Sequence, residues 1–502
     1  MNRIFPTLLL GAIILPAPYI AYAGPTELFE TPNKGVASEA AIEETLSLSL
    51  EEAVYLSLKN NRAFIVERYN PAVTRTYEES EKALFDPVLT GEINVSQDED
   101  QHGEVARSGE LSLGVEKPFP SGTGISATIS GAANEEPIND SVRVGLSVTQ
   151  QLLRGFGSEV NLTGLRQAEL ASQASDYELR GYAQSLVADT ENNFWDSFLA
   201  EEKIAIVEES LTLAKKQLGE AEERIKVGKI PEIEGVAARA EVALRNEDLI
   251  NAISDLESKR LKLLRSVSSP GGSPWERELE LIKPSIEPAS EADTIKEHVA
   301  LAYKLRPELN QARVELRNGE LKVVKTKNGL LPKLEGFLLL GKSGYSNTLS
   351  GAAGDISGDG YDLTVGVRGE LPWENRAARA DSMRSLLNRD RAEAAVANLE
   401  ELAELDVRLA LIEVKRLKAQ VSATAASRDL QEETLRAETE KFRVGRSTSL
   451  LVAGAQRDLL ASKIAEIEAQ VNYNKALVNL FLQDGSLLNR LGFDAPGAAP
   501  PD

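Results

Sequence analysis

Cysteine is absent from the 502 residues, so the chain forms no disulfide, builds no thiolate metal site and carries no lipid on a thiol. Its 2 histidines, His102 and His298, have no companion at ligand spacing, and neither a metal nor any other cofactor is expected. Positive charge is scarce: 56 Lys and Arg face 78 Asp and Glu, a formal net charge of -22. A general nucleic-acid binder needs clustered cations to neutralise phosphate, and that class is set aside. After the N-terminal region no stretch reaches about 18 consecutive apolar residues, so no transmembrane helix is expected and any meeting with a membrane falls to strands. No Ser-His-Asp or glycine-flanked nucleophile arrangement rises above chance, and the chain is not read as an enzyme.

What the sequence does have is long proline-free rods. Ser158 to Ile225 contains no proline, and Ile204, Val207, Leu211, Ala214, Leu218, Ala221 and Ile225 step by three and four, a coiled-coil seam. A helix of that length spans roughly 100 Å, too long for a compact globule to bury. The seam stops at Val227-Gly228-Lys229 and a shorter helix starts near Pro231, running to about Val267, which reads as a helical hairpin tip.

In chain order, residues 1–23 read as a secretory signal, with Arg3, the apolar run Leu8 to Leu15 and the small-residue site Ala21-Tyr22-Ala23. Residues 24–46 read as a loose polar arm. One helix is expected from Leu48 to about Leu84. Beyond Pro87 the period becomes two: Leu89, Gly91, Ile93 and Val95 alternate with polar neighbours, as do Leu111 to Val115, Ile125 to Ile129 and Val142 to Val148. These predict four strands within about 87–153, joined by one short turn and two longer polar loops, the pattern of an outer-membrane barrel. A long helix follows over about 158–227.

Residues 268–293 read as an irregular connector, and then the chain begins again. Leu50-Glu51-Glu52-Ala53 lines up with Ile295-Lys296-Glu297-His298 at an offset of 245 residues that also carries Pro87 onto Pro332. Ile225 to Lys229 matches Phe442 to Arg446 at an offset of 217. The offsets differ by 28 residues, enough for one extra membrane hairpin in the first half. The second half, 294–483, is read as helix, two strands within about 334–371 (Leu334 to Gly341 and Tyr361 to Leu371), a long helix over about 376–443, a tip and a short helix; 484–502 is a tail. In each half the two short helices are expected to stack end to end beside the rod.

This order of helix, strands, long helix, Val-Gly tip and short helix, twice behind a signal peptide, resembles the TolC-type outer-membrane efflux proteins. Supporting segments are Leu48-Ser49-Leu50-Glu51-Glu52-Ala53, Leu330-Leu331-Pro332-Lys333-Leu334, Gln151 to Gly157 and Asn375 to Ala380, and the likeness covers roughly residues 46 to 490. It implies a mainly α chain with a membrane β-barrel portion: long antiparallel coiled-coil helices forming a periplasmic α-barrel, and strands shared in a trimeric outer-membrane β-barrel. It also implies a periplasmic adaptor and an inner-membrane transporter as partners in a Gram-negative bacterium. The strand count asks for oligomerisation independently, because six strands are too few for a bacterial barrel and open edges in lipid leave backbone groups unpaired. The simplest relatives contribute four strands each; six here would give a trimer about eighteen, unless the hairpin around Leu111 to Gly131 stays outside the membrane.

By position in the family, the adaptor-facing residues are Val227, Gly228, Lys229, Val444, Gly445 and Arg446; both glycines also simply permit a reversal. Leu451 and Gly454 occupy positions often acidic in the family, which puts a carboxylate ring there in doubt. Glu232 and Glu234 remain after the first tip, and Glu234 is assigned to a periplasmic gate with Arg446 as counter-ion, against the plain reading of carboxylates at a helix N-terminus. Glu92, Arg143, Asp362 and Arg368 on the polar strand faces suit a wet lumen. Gly336 to Ser343 satisfies a P-loop pattern, but Phe and three Leu fill its centre and no helix opens directly after it, so nucleotide binding is rejected. Trp195, Trp275 and Trp373 are read as packing or interface residues. The competing function is a non-conducting periplasmic coiled-coil scaffold or adhesin.

Overall fold

The computed structural model describes residues 45–99, 105–134, 140–268, 275, 277–283 and 294–493. The expected signal segment, nearly all of the N-terminal arm, most of the connector and His102 lie outside them.

The described chain opens with strand β1 (Thr45–Leu48), then helices α1 (Leu50–Asn60), α2 (Arg62–Glu67) and α3 (Asn70–Lys82). The single helix expected from Leu48 to Leu84 is therefore corrected to the last residue of a strand, three α-helices and a 3-10 turn at Ala83–Phe85. Ser49 and Glu52 close a capping box that starts α1. Asn61 then leaves the helical region, and its Oδ1 accepts the N–H groups of Ala63 and Phe64 at 3.0 and 3.1 Å, ending α1 and capping α2.

Four strands follow: β2 (Val88–Glu99), β3 (Val105–Pro118), β4 (Thr123–Asn134) and β5 (Asp140–Gln151). Then come the one-turn α4 (Ser158–Asn161), the rod α5 (Thr163–Lys226) and α6 (Glu232–Val267). Strand β6 (Glu278–Leu281) pairs in parallel with β1. The second half runs α7 (Ile295–Leu305), α8 (Pro307–Asn328), β7 (Lys333–Ser346), α9 (Leu349–Asp355) and β8 (Asp362–Glu370). It closes with the rod α10 (Arg376–Arg443), α11 (Ser449–Gln483) and α12 (Leu487–Arg490). Helices α1 and α7 are both 11 residues long. The offset of 245 residues holds for their first residues and for the first residues of β2 and β7, and 217 holds for the ends of the rods.

The larger sheet is antiparallel throughout, in the order β2-β3-β4-β5-β7-β8. Its register is uninterrupted, so the side-chain alternation of each strand runs on into the next. One face collects Leu89, Ile93, Leu113, Ile129, Val144, Leu146, Leu338, Leu340, Leu363 and Val365. The other collects the polar partners. Following the ladder from Val88 leads through Glu116, Ser126, Ser147 and Leu339 to Thr364, six residues short of the end of β8. That stagger is what tilted barrel strands require.

The helices form a layer. Nearer the sheet the neighbours run α3, α5, α8, α10; toward the tips they run α6, α5, α11, α10. The short helices meet end to end beside α5, where Asn60 and Asn61 donate to the carbonyls of Val267 and Ser266 at 3.2 and 3.4 Å. Around this joint lies one hydrophobic cluster of the core: Leu48, Ala53, Phe194, Trp195, Phe198, Leu263, Val267, Leu281 and Val471. Phe194 and Phe198 meet Trp195 edge-on, with ring centroids 6.2 and 5.9 Å away.

Candidate functional site

The four residues assigned to the lumen lie on one face of the sheet. Glu92, Ser112, Ser130, Arg143 and Ser343 follow one another across the ladder, and Asp362 and Arg368 share that face on β8. Arg143 reaches across β7 to Asp362 at 2.6 Å and to the Ser343 hydroxyl at 3.0 Å. It passes over Gly341, where a Cβ would stand 2.5 Å from the Arg143 guanidinium and 2.7 Å from the Asp362 carboxylate. Nearer the helices, Arg368 lies 3.7 Å from Glu335 and over the Phe337 ring, 5.4 Å from its centroid. The same face carries Glu110, Glu116 and Glu370 with Lys333, and Glu92 accepts a hydrogen bond from Asn94 at 2.9 Å. Its charges therefore balance on the negative side. Phe337 and Leu339 are apolar intrusions that the alternation alone did not lead one to expect.

At the far ends of the rods the two tips share one backbone design. Gly228 has φ 72° and Gly445 φ 75°, and the N–H groups of Lys229 and Arg446 close back onto Arg224 and Lys441 at 2.9 and 2.8 Å. Val227 and Val444 are 64% and 67% exposed. Lys229, Glu232 and Arg446 are exposed too. The tips are tied together by Arg224 stacked on Phe442, 4.9 Å to the ring centroid, and by the Ser449 hydroxyl donating to Glu234. Glu234 is thus engaged within the chain by Ser449, and Arg446 makes no ion pair among the described residues. Ser449 escaped sequence reasoning because 215 residues separate the partners.

Midway along α5 sit two carboxylates with opposite environments. Glu191 is buried, its Oε1 lacks a partner among the described residues, and burial pushes its pKa to about 7. Burial would also raise Asp196, but hydrogen bonds and charge from Lys475 and Lys259, 2.7 and 3.3 Å away, outweigh it and hold the group below its ordinary value. His298, on α7, is buried against Asp484 at 2.7 Å, and Asp484 also accepts the Ser486 N–H at 2.8 Å. This pair ties α7 to the end of α11. No cluster of metal-ligating side chains and no helix fit to cross a membrane occurs among the described residues.

A six-stranded sheet with one apolar and one polar face, joined directly to paired rods, is the architecture to compare with known proteins. The family model for outer membrane efflux proteins matches residues 58–268 and 299–486. The chain belongs to the outer membrane efflux protein family. The matched segments of this TolC-type family take in all six strands of the larger sheet and both tips. Among curated relatives, the outer membrane efflux protein BepC of Brucella suis biovar 1 (strain 1330) is 22% identical over 443 residues, covering 86% of this chain and 83% of its own. Among solved structures, the outer-membrane channel OprN superposes with a TM-score of 0.68 at 16% identity, over 87% of this chain and 89% of its own. The Campylobacter jejuni CmeC outer membrane channel gives 0.64 at 18% identity, over 87% and 86%.

Proposed function

We propose that this member of the efflux family is a homotrimeric outer-membrane channel-tunnel. It gives passive exit to substrates delivered by an inner-membrane pump or secretion transporter through a periplasmic adaptor. The observation that carries this is the sheet: apolar on one side, charged on the other, with β2 and β8 left as open edges. An open edge in lipid costs several kcal/mol for each unpaired backbone group. Pairing β8 of one copy with β2 of the next removes both edges, and three copies make a barrel of about eighteen strands. Strands β3 and β4 continue the ladder without a break, which supports insertion of the extra hairpin with the rest.

The helix layer has the same incompleteness. Its outer members expose apolar rows, Ile250, Ile253 and Leu261 on α6 and Leu402, Leu405, Leu409 and Ile412 on α10, and a sister subunit covers them to close the periplasmic tunnel. The equal lengths of α1 and α7, with an offset of 245 residues at the starts of α1 and β2 and of 217 at the ends of the rods, support a duplicated unit, 47–267 and 294–483. A soluble scaffold or adhesin gives no reason for a sheet-wide apolar face. The protein is expected to require detergent for extraction and to run as a heat-modifiable trimer; recovery as a soluble monomer from a periplasmic wash would overturn the channel.

The exposed tips, with Val227, Gly228, Lys229, Val444, Gly445 and Arg446, are the adaptor-facing surface. Glu234, which accepts a hydrogen bond from Ser449, belongs to the gate, and Glu232 and Arg446 are assigned to it as well. Glu234→Ala is expected to raise single-channel conductance in planar bilayers and weaken cation preference, and an unchanged current with unchanged selectivity rejects the gate.

A further inference from the structure

Lys342 belongs to the stretch whose sequence imitates a P-loop, and the fold gives that lysine another setting. Gly336 to Ser343 lies wholly within β7, where residues alternate between the two faces. Gly341 and Ser343 serve the charged face, so Lys342 stands on the apolar face, paired in register with Val144 and two positions beyond Leu340. It is half-buried and makes no ion pair among the described residues.

Its surroundings form a niche. One position further out on the same face is Gly344, where a Cβ would collide with the Ala352 carbonyl and stand 2.7 Å from the Ile356 nitrogen of the segment that includes α9. Helix α9 thus folds back onto the apolar face, with Leu349 reaching toward Gly131, and overhangs Lys342 on the side away from the rods. Tyr361, 71% exposed, directly precedes Asp362, which pairs with Gly341 at the end of the ladder next to Lys342. On the rod side lie Leu340, Leu363 and Val365, all exposed. Among the described side chains, this face of the sheet carries the cations Arg107, Lys117 and Lys342 and one carboxylate, Asp140, at the outermost position of β5. Arg107 is engaged by Gln97 at 3.0 Å. Lys117 stands at the opposite end, 5.5 Å from the centroid of the Phe119 ring.

We infer that Lys342, with Tyr361 beside it and α9 above it, forms a site for the phosphate of a phosphorylated glycolipid headgroup in the outer leaflet, the acyl chains lying along Leu340, Leu363 and Val365. An ammonium and a phenol at the edge of an apolar band are the groups that meet lipid headgroups. The ammonium supplies the charge-assisted hydrogen bond that a phosphate accepts. The site rests on the reading that the apolar face of the sheet meets lipid.

The test uses the full-length trimer in liposomes and nanodiscs containing either bisphosphorylated lipid A or its dephosphorylated form, with retained lipid counted by native mass spectrometry. Wild-type protein is expected to float with the liposomes and to retain the phosphorylated lipid in preference to the dephosphorylated one. Lys342→Gln is expected to float equally well, stay heat-modifiable and hold the phosphorylated lipid about fivefold more weakly, the worth of one lysine near a charged surface. Lys342→Arg restores retention, and Lys117→Gln leaves this outer-leaflet preference unchanged. Equal retention by wild type and Lys342→Gln, or no preference of the wild type between the two lipids, overturns the site alone. Wild-type protein that does not float overturns the membrane reading and the site with it.

Discussion

Leu338→Arg is expected to abolish assembly in the outer membrane, while Leu339→Arg, one residue along the same strand, leaves a functional trimer. The two leucines are about equally exposed, 38% and 39%, and equally apolar, so composition and propensity do not separate them. Register does. Leu338 pairs with Val148 and Val365 on the apolar face, whereas Leu339 pairs with Ser147 and Thr364 on the charged face. An arginine at mid-depth on a lipid-facing strand position costs about 2–4 kcal/mol, and a trimer carries it three times. On the inward face the same side chain remains in water. Outer-membrane fractionation and heat-modifiability of both variants decide the matter: equal assembly would mean that the faces are misassigned or that the strands never meet lipid.

Glu191→Gln is expected to stabilise the protein by roughly 3 kcal/mol above neutral pH, at about 1.4 kcal/mol for each pKa unit. Burial raises this carboxyl from its ordinary 4.5 to about 7, so between those values the folded chain holds a proton that the unfolded chain has already released. Stability therefore falls as pH rises through that window, and the deficit persists at higher pH. Glutamine carries no charge to desolvate and removes the deficit. The gain in thermal midpoint should be large at pH 8 and vanish at pH 4. A gain of equal size at both values, or none at either, would contradict the assignment to Glu191 ionisation.

The rods and the strands were legible because each obeys one period over many residues. The expected second rod, Arg376 to Arg443, coincides with α10 because nothing within it competes with the helical repeat. The Leu48 to Leu84 segment misled because its apolar spacing passes through Asn61 unchanged, while that side chain caps the next helix instead of continuing the first. Strand β7 was expected to stop at Gly341 and runs on to Ser346, because Lys342 on the apolar face and Gly344 interrupt the alternation that marks a strand. Helix α9, built from Leu349-Ser350-Gly351-Ala352-Ala353-Gly354-Asp355, is too short and too rich in glycine to show a helical period. The four-residue strands β1 and β6 are partners 233 positions apart, and pairing at such range leaves no local trace. Similar separations, 186 and 215 residues, hid His298 from Asp484 and Glu234 from Ser449. At the candidate site, sequence supplied the charged residues of the polar face; only the ladder between strands put Arg143 beside Asp362.

That brace binds the fate of three positions together. Gly341 contributes no atom to the contact between Arg143 and Asp362, yet any larger residue there would occupy the space through which the guanidinium crosses. Its tolerance to change is therefore set by its neighbours' chemistry: once Asp362 becomes a short neutral residue, the vacancy has no further purpose and a bulkier side chain becomes admissible. Across divergent descendants of this chain, glycine at 341 and the acid at 362 should be lost as a couple, with loss of the acid coming first.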